Sequence, residues 1–249
     1  MIADAATAAL VHGGFEYAGI ALGVALYRER QAAAGAGGLR QPGNFAVIVG
    51  LLAGAGIGNK LVFLIERPDI AQRLLAGEWL WPGQSIVGGL LGGLIGVELA
   101  KWLTRQTRST GDAMVLPLAL GIVVGRIGCF LAGLHDDTFG NATTLPWGLD
   151  FGDGLRRHPT QLYEMIVVVL MATVLHRRRE RLAPVPGLAF KLFLAGYLLW
   201  RLLIDGIKPV PVAYAGGLSG IQWTCLLALL VYGPLLWRAA TRLPRRAFA

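Results

Sequence analysis

The 249-residue chain has few charged residues and few cysteines. Charged side chains make up 15% of the sequence, whereas a soluble domain of ordinary composition carries about 25%. That shortage argues against a soluble globular protein. The two cysteines, Cys129 and Cys225, both lie within apolar segments, where the default interpretation is a buried small hydrophobic side chain. They give no indication of a disulfide framework.

Acidic residues are scarce as well, because 15 of them face 23 basic residues, for a formal net charge of +8. An excess of this kind can indicate nucleic-acid binding. Here the basic residues concentrate at one set of predicted helix ends, where they favour one membrane orientation and meet anionic lipid headgroups. We therefore expect the membrane, and no nucleic acid, as the partner of these residues.

Apolar residues dominate the rest of the chain, with 55% hydrophobic residues and a mean hydropathy of +0.56. Seven apolar segments come close to the ~20 residues that a bilayer-spanning helix needs. They predict an all-α integral membrane protein, a bundle of about seven transmembrane helices forming a single polytopic membrane domain over residues 1–249. The segments are 13–27, 45–65, 82–103, 113–133, 162–176, 187–205 and 219–240.

Many of the 35 glycines recur inside the apolar segments, as in GGLLGGLIG at residues 88–96. Small residues allow helices to approach closely in lipid, so these glycines are interpreted as helix-packing faces.

The connections between the segments differ in basic residues, with 15 of the 23 on one side and five on the other. Basic residues favour the cytoplasmic side, which predicts an N-terminus outside and a cytoplasmic C-terminus. The long connection 134–159 then lies on the outer side. Its aromatic residues, Phe139, Trp147 and Phe151, argue against disorder and predict an ordered extracytoplasmic cap loop.

Arg126 lies near the end of the apolar segment 113–133. A permanent charge within a membrane-spanning helix is costly and usually faces the bundle interior, a partner or a polar ligand. A guanidinium near the membrane boundary suits the phosphate of a phospholipid, since its planar fork can donate two hydrogen bonds to two phosphate oxygens. The sequence thus indicates lipid chemistry.

The cap loop also carries a cluster of acidic residues. His135-Asp136-Asp137, with Asp150 and Asp153, could suggest a metal site. His135 is however the one histidine that accompanies these acidic residues, and no ligand spacing recurs. A solvated acidic loop is the favoured interpretation. We expect no metal and no cofactor.

Two blocks carry a specific resemblance. Gly125-Arg126-Ile127-Gly128 and the block from Arg157 to Glu164, RHPTQLYE, resemble the signature strings of the bacterial prolipoprotein diacylglyceryl transferases. The resemblance implies a seven-helix protein of the bacterial inner membrane. It also implies transfer of the diacylglyceryl group of phosphatidylglycerol to the lipobox cysteine of a prolipoprotein, or to another acceptor, with release of glycerol phosphate.

Further segments follow the family's order, including Glu16-Tyr17, residues 83–89, residues 201–205 and residues 220–222. Other positions depart from it. Val87 stands where the family motif has histidine, Cys129 where it has asparagine and Leu134 near its glutamate, and residues 56–60 replace an arginine-containing motif. Valine cannot accept a proton, so this chain needs a substitute if the family histidine is a base.

The residues and the resemblance together give a set of candidate site residues. Arg126 and Arg201 would hold the phosphate, Asp205 would hold Arg201 in position from the same helical face, and His158 would accept the acceptor's proton. The catalytic candidates are Arg126, His158 and Arg201. The substrate-binding candidates are Tyr17, Gly88, Gly89, Gly128, Arg157, Gln161, Tyr163, Glu164, Asp205 and Gln222.

Several alternatives remain open from the sequence. The two arginines could simply neutralise Glu164, Glu98 or Asp205, and Tyr17 and Tyr163 could be interfacial anchors. Glu98 and Lys101, three residues apart, favour a structural ion pair. Cys129 could be a nucleophile, although an apolar helix favours the protonated thiol.

Two other function classes compete with the transferase. A noncatalytic phospholipid-binding protein could have kept the phosphate clamp after losing the histidine, as Val87 suggests. An ion or solute transporter gains some support from Lys60, Glu98 and Lys101, but no inverted repeat of broken helices is visible.

Overall fold

The computed structural model describes residues 2, 4–33, 44–80 and 83–244. Helices make up most of this part of the chain. They are α1 (Ala5–Ala33), α2 (Asn44–Glu66), α3 (Pro68–Leu75), α4 (Ile86–Leu103), α5 (Val115–Ala132), α6 (Thr160–Arg177), α7 (Arg179–Leu182), α8 (Leu188–Ile204) and α9 (Gly220–Ala240). A two-stranded hairpin, β1 (Leu149–Asp150) and β2 (Arg156–Arg157), completes the regular structure.

The prediction of an all-α membrane protein is confirmed. Five helices of the described residues are long and apolar enough to cross a membrane: α1, α2, α4, α5 with its flanking turns, and α9. The two other predicted spans correspond to α6 and α8, which have 18 and 17 residues. At 1.5 Å per residue they extend about 27 and 26 Å, slightly less than the ~30 Å hydrocarbon core, and they pack within the same bundle.

Some predicted boundaries were wrong. The first span was predicted at 13–27, but α1 runs from Ala5 to Ala33, since Glu16 and Tyr17 do not interrupt the helix. The third span was predicted from residue 82, which lies outside the described residues. The helix of this span begins at Ile86 because the Ser85 side chain accepts a hydrogen bond from the Gly88 N–H. Three basic residues counted for the topology, Arg40, Arg245 and Arg246, also lie outside the described residues.

An amphipathic helix that the sequence analysis did not predict, α3, follows α2 directly. Pro68 begins it, which suits a first helical position because proline lacks an N–H group. Eight residues are too few to cross a bilayer, so α3 is a connection between α2 and α4 and not a further span.

Glycines bring α2 and α4 into close contact. A Cβ atom built on Gly54 would overlap the Gly92 backbone, and one built on Gly96 would overlap the Gly50 carbonyl oxygen. The backbones of α2 and α4 therefore touch, and only glycine fits at these positions. This confirms the interpretation of GGLLGGLIG as a packing face.

The buried core lies among α4, α5, α6, α8 and α9. Phe193, Leu194, Tyr197 and Leu198 of α8 and Val168 of α6 have no exposed surface. Large apolar side chains point outward elsewhere, such as Leu52, Ile95 and Val231 at 66%, 67% and 72% exposure, on α2, α4 and α9. A bundle that is apolar on its outside as well as its inside fits a lipid environment.

The predicted cap loop is ordered. Phe151, which is buried, contacts the rings of Phe130 and Phe139, so the loop packs onto the end of α5. Backbone hydrogen bonds join Gly140 to His158 and Asn141 to Ile207, connecting the loop to the start of α6 and the end of α8. The cap therefore holds the ends of α5, α6 and α8 together.

Candidate active site

Glu164 lies at the centre of a buried charge cluster between three helices. Its Oε2 atom lies 2.9 Å from Arg126 NH2 of α5 and 3.3 Å from Arg201 NH1 of α8. The Tyr197 hydroxyl donates to Oε1 at 2.6 Å. All four residues are buried. One carboxylate therefore holds the two guanidinium groups that the sequence predicted to act together.

Asp205 completes the cluster at the end of α8. Its Oδ1 accepts from Arg201 NH2 at 2.8 Å, so the predicted contact at a spacing of four residues is present. Its Oδ2 accepts from the Ser219 hydroxyl at 3.0 Å, and Ser219 caps the start of α9. The cluster is thus tied to α5, α6, α8 and α9.

Two donors of this cluster are unused. Arg126 Nε and Arg201 Nε are buried and have no hydrogen-bond partner among the described residues. An unsatisfied buried donor costs free energy, commonly about 1–3 kcal/mol and more for a charged group. Two such donors, on two cations that share one carboxylate, are the feature expected of a site that receives an anion.

A third cation lies beside the clamp of Arg126 and Arg201. Lys208 follows α8 and is half-buried near Arg201 and Asp205. Burial, and then repulsion from the Arg201 charge, lowers the pKa of the Lys208 ammonium to about 8. Sequence analysis did not single out this lysine, although it lies only three residues after Asp205.

The start of α6 is anchored to the cap loop, which fixes Glu164. The Thr160 hydroxyl donates to the Thr138 carbonyl oxygen, and Gln161 Nε2 donates to the Thr138 hydroxyl at 3.2 Å. Gln161 Oε1 is buried without a partner among the described residues. Gln161 therefore presents a free acceptor one turn before Glu164.

His158 lies away from the carboxylate that joins the arginines. Its Nδ1 is 3.3 Å from the Tyr163 hydroxyl, and Trp147 Nε1 donates to that hydroxyl at 2.8 Å. Arg157 belongs to β2, bonds Asp153 and lies over the Phe139 ring. The RHPTQLYE block is thus divided, with Gln161 and Glu164 facing inward while Arg157, His158 and Tyr163 build the cap.

Other predicted site residues do not contact Glu164 or the two arginines among the described residues. Tyr17 is 75% exposed on α1, as an interfacial or lipid-facing side chain would be. Gly88 packs against Gly58 of α2, and Gly89 lies near Asn59. Gln222 completes the Ser219 cap of α9 and donates to the Leu202 carbonyl oxygen at 3.0 Å.

The expectation of a solvated acidic loop is wrong for Asp136. Its side chain is 3% exposed, and its Oδ1 lies 2.8 Å from His12 Nδ1 of α1. The short helical turn Gly133–Asp136 continues α5 and directs the carboxylate inward instead of toward water. Asp137, Asp150 and Asp153 remain at least partly exposed.

The ion pair predicted between Glu98 and Lys101 is present at 2.8 Å. Tyr197 and Ser219, in contrast, are members of the charge cluster that sequence analysis missed. Tyr197 precedes Arg201 by four residues, so the spacing that revealed Asp205 could also have revealed Tyr197. The Ser219-to-Gln222 spacing is that of a capping box and could have indicated Ser219.

A family model for prolipoprotein diacylglyceryl transferase matches residues 9–238 of the chain. The chain belongs to the prolipoprotein diacylglyceryl transferase family. A phosphatidylglycerol–prolipoprotein diacylglyceryl transferase of Geobacter sulfurreducens is 32% identical over 182 residues, covering 71% of this chain and 67% of that protein. One of the same name from Paracidovorax citrulli is 34% identical over 215 residues, covering 81% and 76%.

The motifs that resemble the diacylglyceryl transferase family meet at this site. Arg126 comes from the GRIG string, Glu164 from RHPTQLYE, and Arg201 and Asp205 from the segment at the end of α8. These three segments are far apart in the chain, yet their charged side chains form one buried cluster. Val87, at the family's histidine position, is 1% exposed and packs within the apolar core.

Proposed function

We propose that this protein transfers the diacylglyceryl group of phosphatidylglycerol to the cysteine thiol of a prolipoprotein or a related acceptor, releasing glycerol phosphate. The observation that carries the proposal is the pair of buried guanidinium groups, Arg126 and Arg201, each with an Nε–H donor that has no partner in the described part of the chain. Membership of the diacylglyceryl transferase family and the names of its relatives support the choice of phospholipid and acceptor.

The reaction breaks one carbon–oxygen bond and forms one carbon–sulfur bond. The acceptor sulfur attacks the glycerol carbon of the diacylglyceryl unit, and the phosphate oxygen leaves with the electron pair of the broken bond. Arg126 and Arg201 stabilise the charge that grows on the phosphate, and their buried position strengthens that interaction. The thiol proton must pass to a base.

Glu164 and Asp205 position the clamp of Arg126 and Arg201 instead of reacting. Glu164 fixes both guanidinium groups relative to each other, while Asp205 and Ser219 fix Arg201 from the opposite side. A clamp held in place before the substrate arrives loses less entropy on binding phosphate. Gln161, with its free Oε1, is proposed to contact a hydroxyl of the glycerol headgroup.

The remaining sequence candidates stay predictions at this point. His158 is the base that the sequence favours, with Arg157 and Tyr163 beside it on the cap. Tyr17, Gly88, Gly89, Gly128 and Gln222 are candidate substrate contacts from the family resemblance. The orientation, with the cap outside the bacterial inner membrane and the C-terminus in the cytoplasm, rests on the basic-residue asymmetry.

A headgroup-release assay tests the proposed function. The purified protein is incubated with phosphatidylglycerol labelled in its headgroup glycerol, together with a lipobox peptide or the same peptide with serine in place of cysteine. We expect labelled glycerol phosphate only with the cysteine peptide. Release without any acceptor would indicate hydrolysis, and no release under any condition would contradict the transferase.

A noncatalytic phospholipid-binding protein is the second candidate, and Val87 is the observation that favours it. That protein would bind phosphatidylglycerol through Arg126 and Arg201 without releasing glycerol phosphate. Binding without release in the same assay would support this second function.

A further inference from the structure

A second polar cluster lies one helical turn after Arg126 and includes the departure at position 129. The Cys129 sulfur lies 3.7 Å from His12 Nε2, and His12 Nδ1 lies 2.8 Å from Asp136 Oδ1. Arg126 NH1 donates to the same sulfur at 3.5 Å. The cysteine, histidine and aspartate thus stand in the order of thiol, base and orienting carboxylate.

The two ring nitrogens of His12 have different partners, and this favours a proton relay over a metal site. One ligand atom from each of His12, Cys129 and Asp136 lies within 4.8 Å of the others, but a metal ion bound to either ring nitrogen would replace the contact that this nitrogen makes in the structure. The Arg126 guanidinium beside the sulfur also repels a cation. With Nδ1–H donated to Asp136, Nε2 is free to take the thiol proton.

The fold is shaped to hold this cluster. Gly128 allows α1 to approach α5 beside Cys129, because a Cβ atom at position 128 would come within 2.6 Å of the Phe15 Cβ and 3.2 Å of the His12 carbonyl oxygen. Asp136 also accepts from the Thr138 hydroxyl, to which Gln161 donates. The relay is therefore connected to the same start of α6 that positions Glu164.

Exposure differs along the cluster in a way that suits proton exchange with an incoming substrate. The His12 side chain is 36% exposed, whereas Asp136 is 3% exposed and Cys129 is buried. The thiol contacts the Arg126 guanidinium proposed to bind the phosphate, so it lies beside the bond that the proposed reaction breaks.

We propose that Cys129, ionised by the His12–Asp136 pair, accepts the proton of the acceptor thiol and so replaces the histidine absent at position 87. This inference rests on the proposed function. The acceptor S–H bond breaks, a Cys129 S–H bond forms, and the acceptor thiolate attacks the glycerol carbon. After glycerol phosphate leaves, Cys129 passes its proton to the departing phosphate or to water, restoring the thiolate.

Cys129 acts as a proton carrier and not as a covalent nucleophile. Attack by its sulfur on the glycerol carbon would leave a thioether, and a thioether sulfur is too poor a leaving group for the lipid to be passed on. A diacylglyceryl group found on Cys129 would therefore mark inactivated protein. Among the described residues, the charged and titratable groups that face the thiol are His12 from α1, Arg126 from α5 and, across the His12 ring, Asp136.

The thiolate is tested first, independently of any transfer. In a Cys225→Ala background Cys129 is the single thiol of the chain, and its rate of alkylation by a small uncharged reagent reports its ionised fraction. We expect His12→Gln and Asp136→Asn to slow alkylation at least tenfold near pH 7. The difference should vanish near about pH 9.5, where an ordinary thiol ionises unaided.

His176→Gln is the matched control, since this exposed histidine lies in the last turn of α6 and has no role in the cluster. It should leave alkylation unchanged. Equal rates in wild type and His12→Gln near pH 7 would overturn the proposal. So would protection of Cys129 by one equivalent of Zn²⁺ that a chelator reverses, because that result would identify a metal site.

The second measurement is transfer in the headgroup-release assay. Cys129→Ser should lower kcat at least tenfold while phosphatidylglycerol affinity changes less than threefold, because a serine hydroxyl stays protonated. His12→Gln should behave alike, with partial recovery of kcat at higher pH. A wild-type rate in Cys129→Ser, or loss in His158→Gln with none in His12→Gln, would overturn the relay and leave the transferase standing. A wild type without release would contradict the proposed function and the relay together.

Discussion

Glu164 is the residue on which the positions of both arginines depend. Glu164 is buried with Arg126, Arg201 and Tyr197 around it, so bulk solvent does not stabilise these partners when the carboxylate is removed. Removing one partner of a buried ion pair commonly costs about 3–5 kcal/mol, because the other charge is left uncompensated. Variants of Glu164 therefore mix loss of folding with loss of function, and variants of the arginines are the better probes.

Arg126→Lys keeps the charge but removes the planar fork. A lysine has no planar fork to make the parallel bidentate contact with two phosphate oxygens, and its single nitrogen cannot reach Glu164 and Cys129 together as the two terminal nitrogens of Arg126 do. We expect glycerol phosphate release to fall at least tenfold with little change in folded yield.

The matched control is Arg73→Lys, since Arg73 pairs with exposed Glu78 at the protein surface. It should keep the wild-type rate. An Arg126→Lys variant with full turnover of phosphatidylglycerol would show that bidentate phosphate contact is not needed.

We expect Lys208 to give lipid binding at the site a pH dependence. Its pKa is lowered to about 8 by burial and by Arg201, so the ammonium is present below that pH and lost above it. An anion binds more tightly beside the protonated form. Phosphatidylglycerol affinity should therefore fall as pH rises from 7 to 9, and Lys208→Met should remove most of that dependence in a vesicle-binding titration.

A wild type whose affinity is constant over this range, or a Lys208→Met variant that keeps the full dependence, would contradict this role.

Spacing rules recovered part of the site from the sequence. Arg201 and Asp205 are four residues apart on one helix, and their contact follows from helical geometry alone. His12 and Cys129 are 117 residues apart, and their contact depends on how α1 packs on α5. No local pattern encodes that contact. Asp136 was misjudged for the same reason, because its partner lies on α1.

At the scale of elements, backbone contact between helices determines what can be changed. The paired glycines of α2 and α4 leave no room for side chains, whereas Gly56 of α2 faces open space. Periodic small residues predicted this contact well. Helix ends were predicted less well. The start of α4 depends on the Ser85 cap, and α1 includes the polar residues Glu16 and Tyr17, so neither boundary follows from hydropathy.

Gly54 and Gly56 of α2 form a matched pair for testing this contact. A Cβ atom at Gly54 would overlap Gly92 of α4, while one at Gly56 would meet no atom within 4 Å. Gly54→Ala should destabilise the protein by about 1–3 kcal/mol through overpacking, seen as a lower Tm in one detergent. Gly56→Ala should be neutral or slightly stabilising, since alanine favours helix.

Equal Tm values for the two variants would show that α2 and α4 are not in backbone contact.

At the scale of the whole molecule, the orientation of the bundle decides which leaflet supplies the lipid. The cap loop and the charge cluster lie at the same end of α5, α6 and α8, so the side of the cap is the side of the site. The basic-residue asymmetry predicts that this end lies outside. The fold class was predictable because apolar length alone determines it, while the topology rests on charge counts.

Leu155→Cys tests the orientation in a background that carries Cys129→Ser and Cys225→Ala, which removes both native thiols, since Leu155 is 50% exposed in the cap loop. A membrane-impermeant thiol reagent added outside spheroplasts should label this variant. A cysteine at Arg238, near the end of α9, should be labelled only after the membrane is opened. Labelling of the cap solely from the cytoplasm would move the site to the other leaflet.

The most direct test of the account is the identity and amount of the two products of one reaction. Purified protein, phosphatidylglycerol and a lipobox peptide should yield glycerol phosphate and a peptide whose cysteine carries a diacylglyceryl thioether, in equal amounts by mass spectrometry. The thioether should resist hydroxylamine, and both products should decline together in Arg126→Lys. A peptide that stays unmodified while phosphatidylglycerol binds tightly would contradict the transferase and leave a lipid-binding protein.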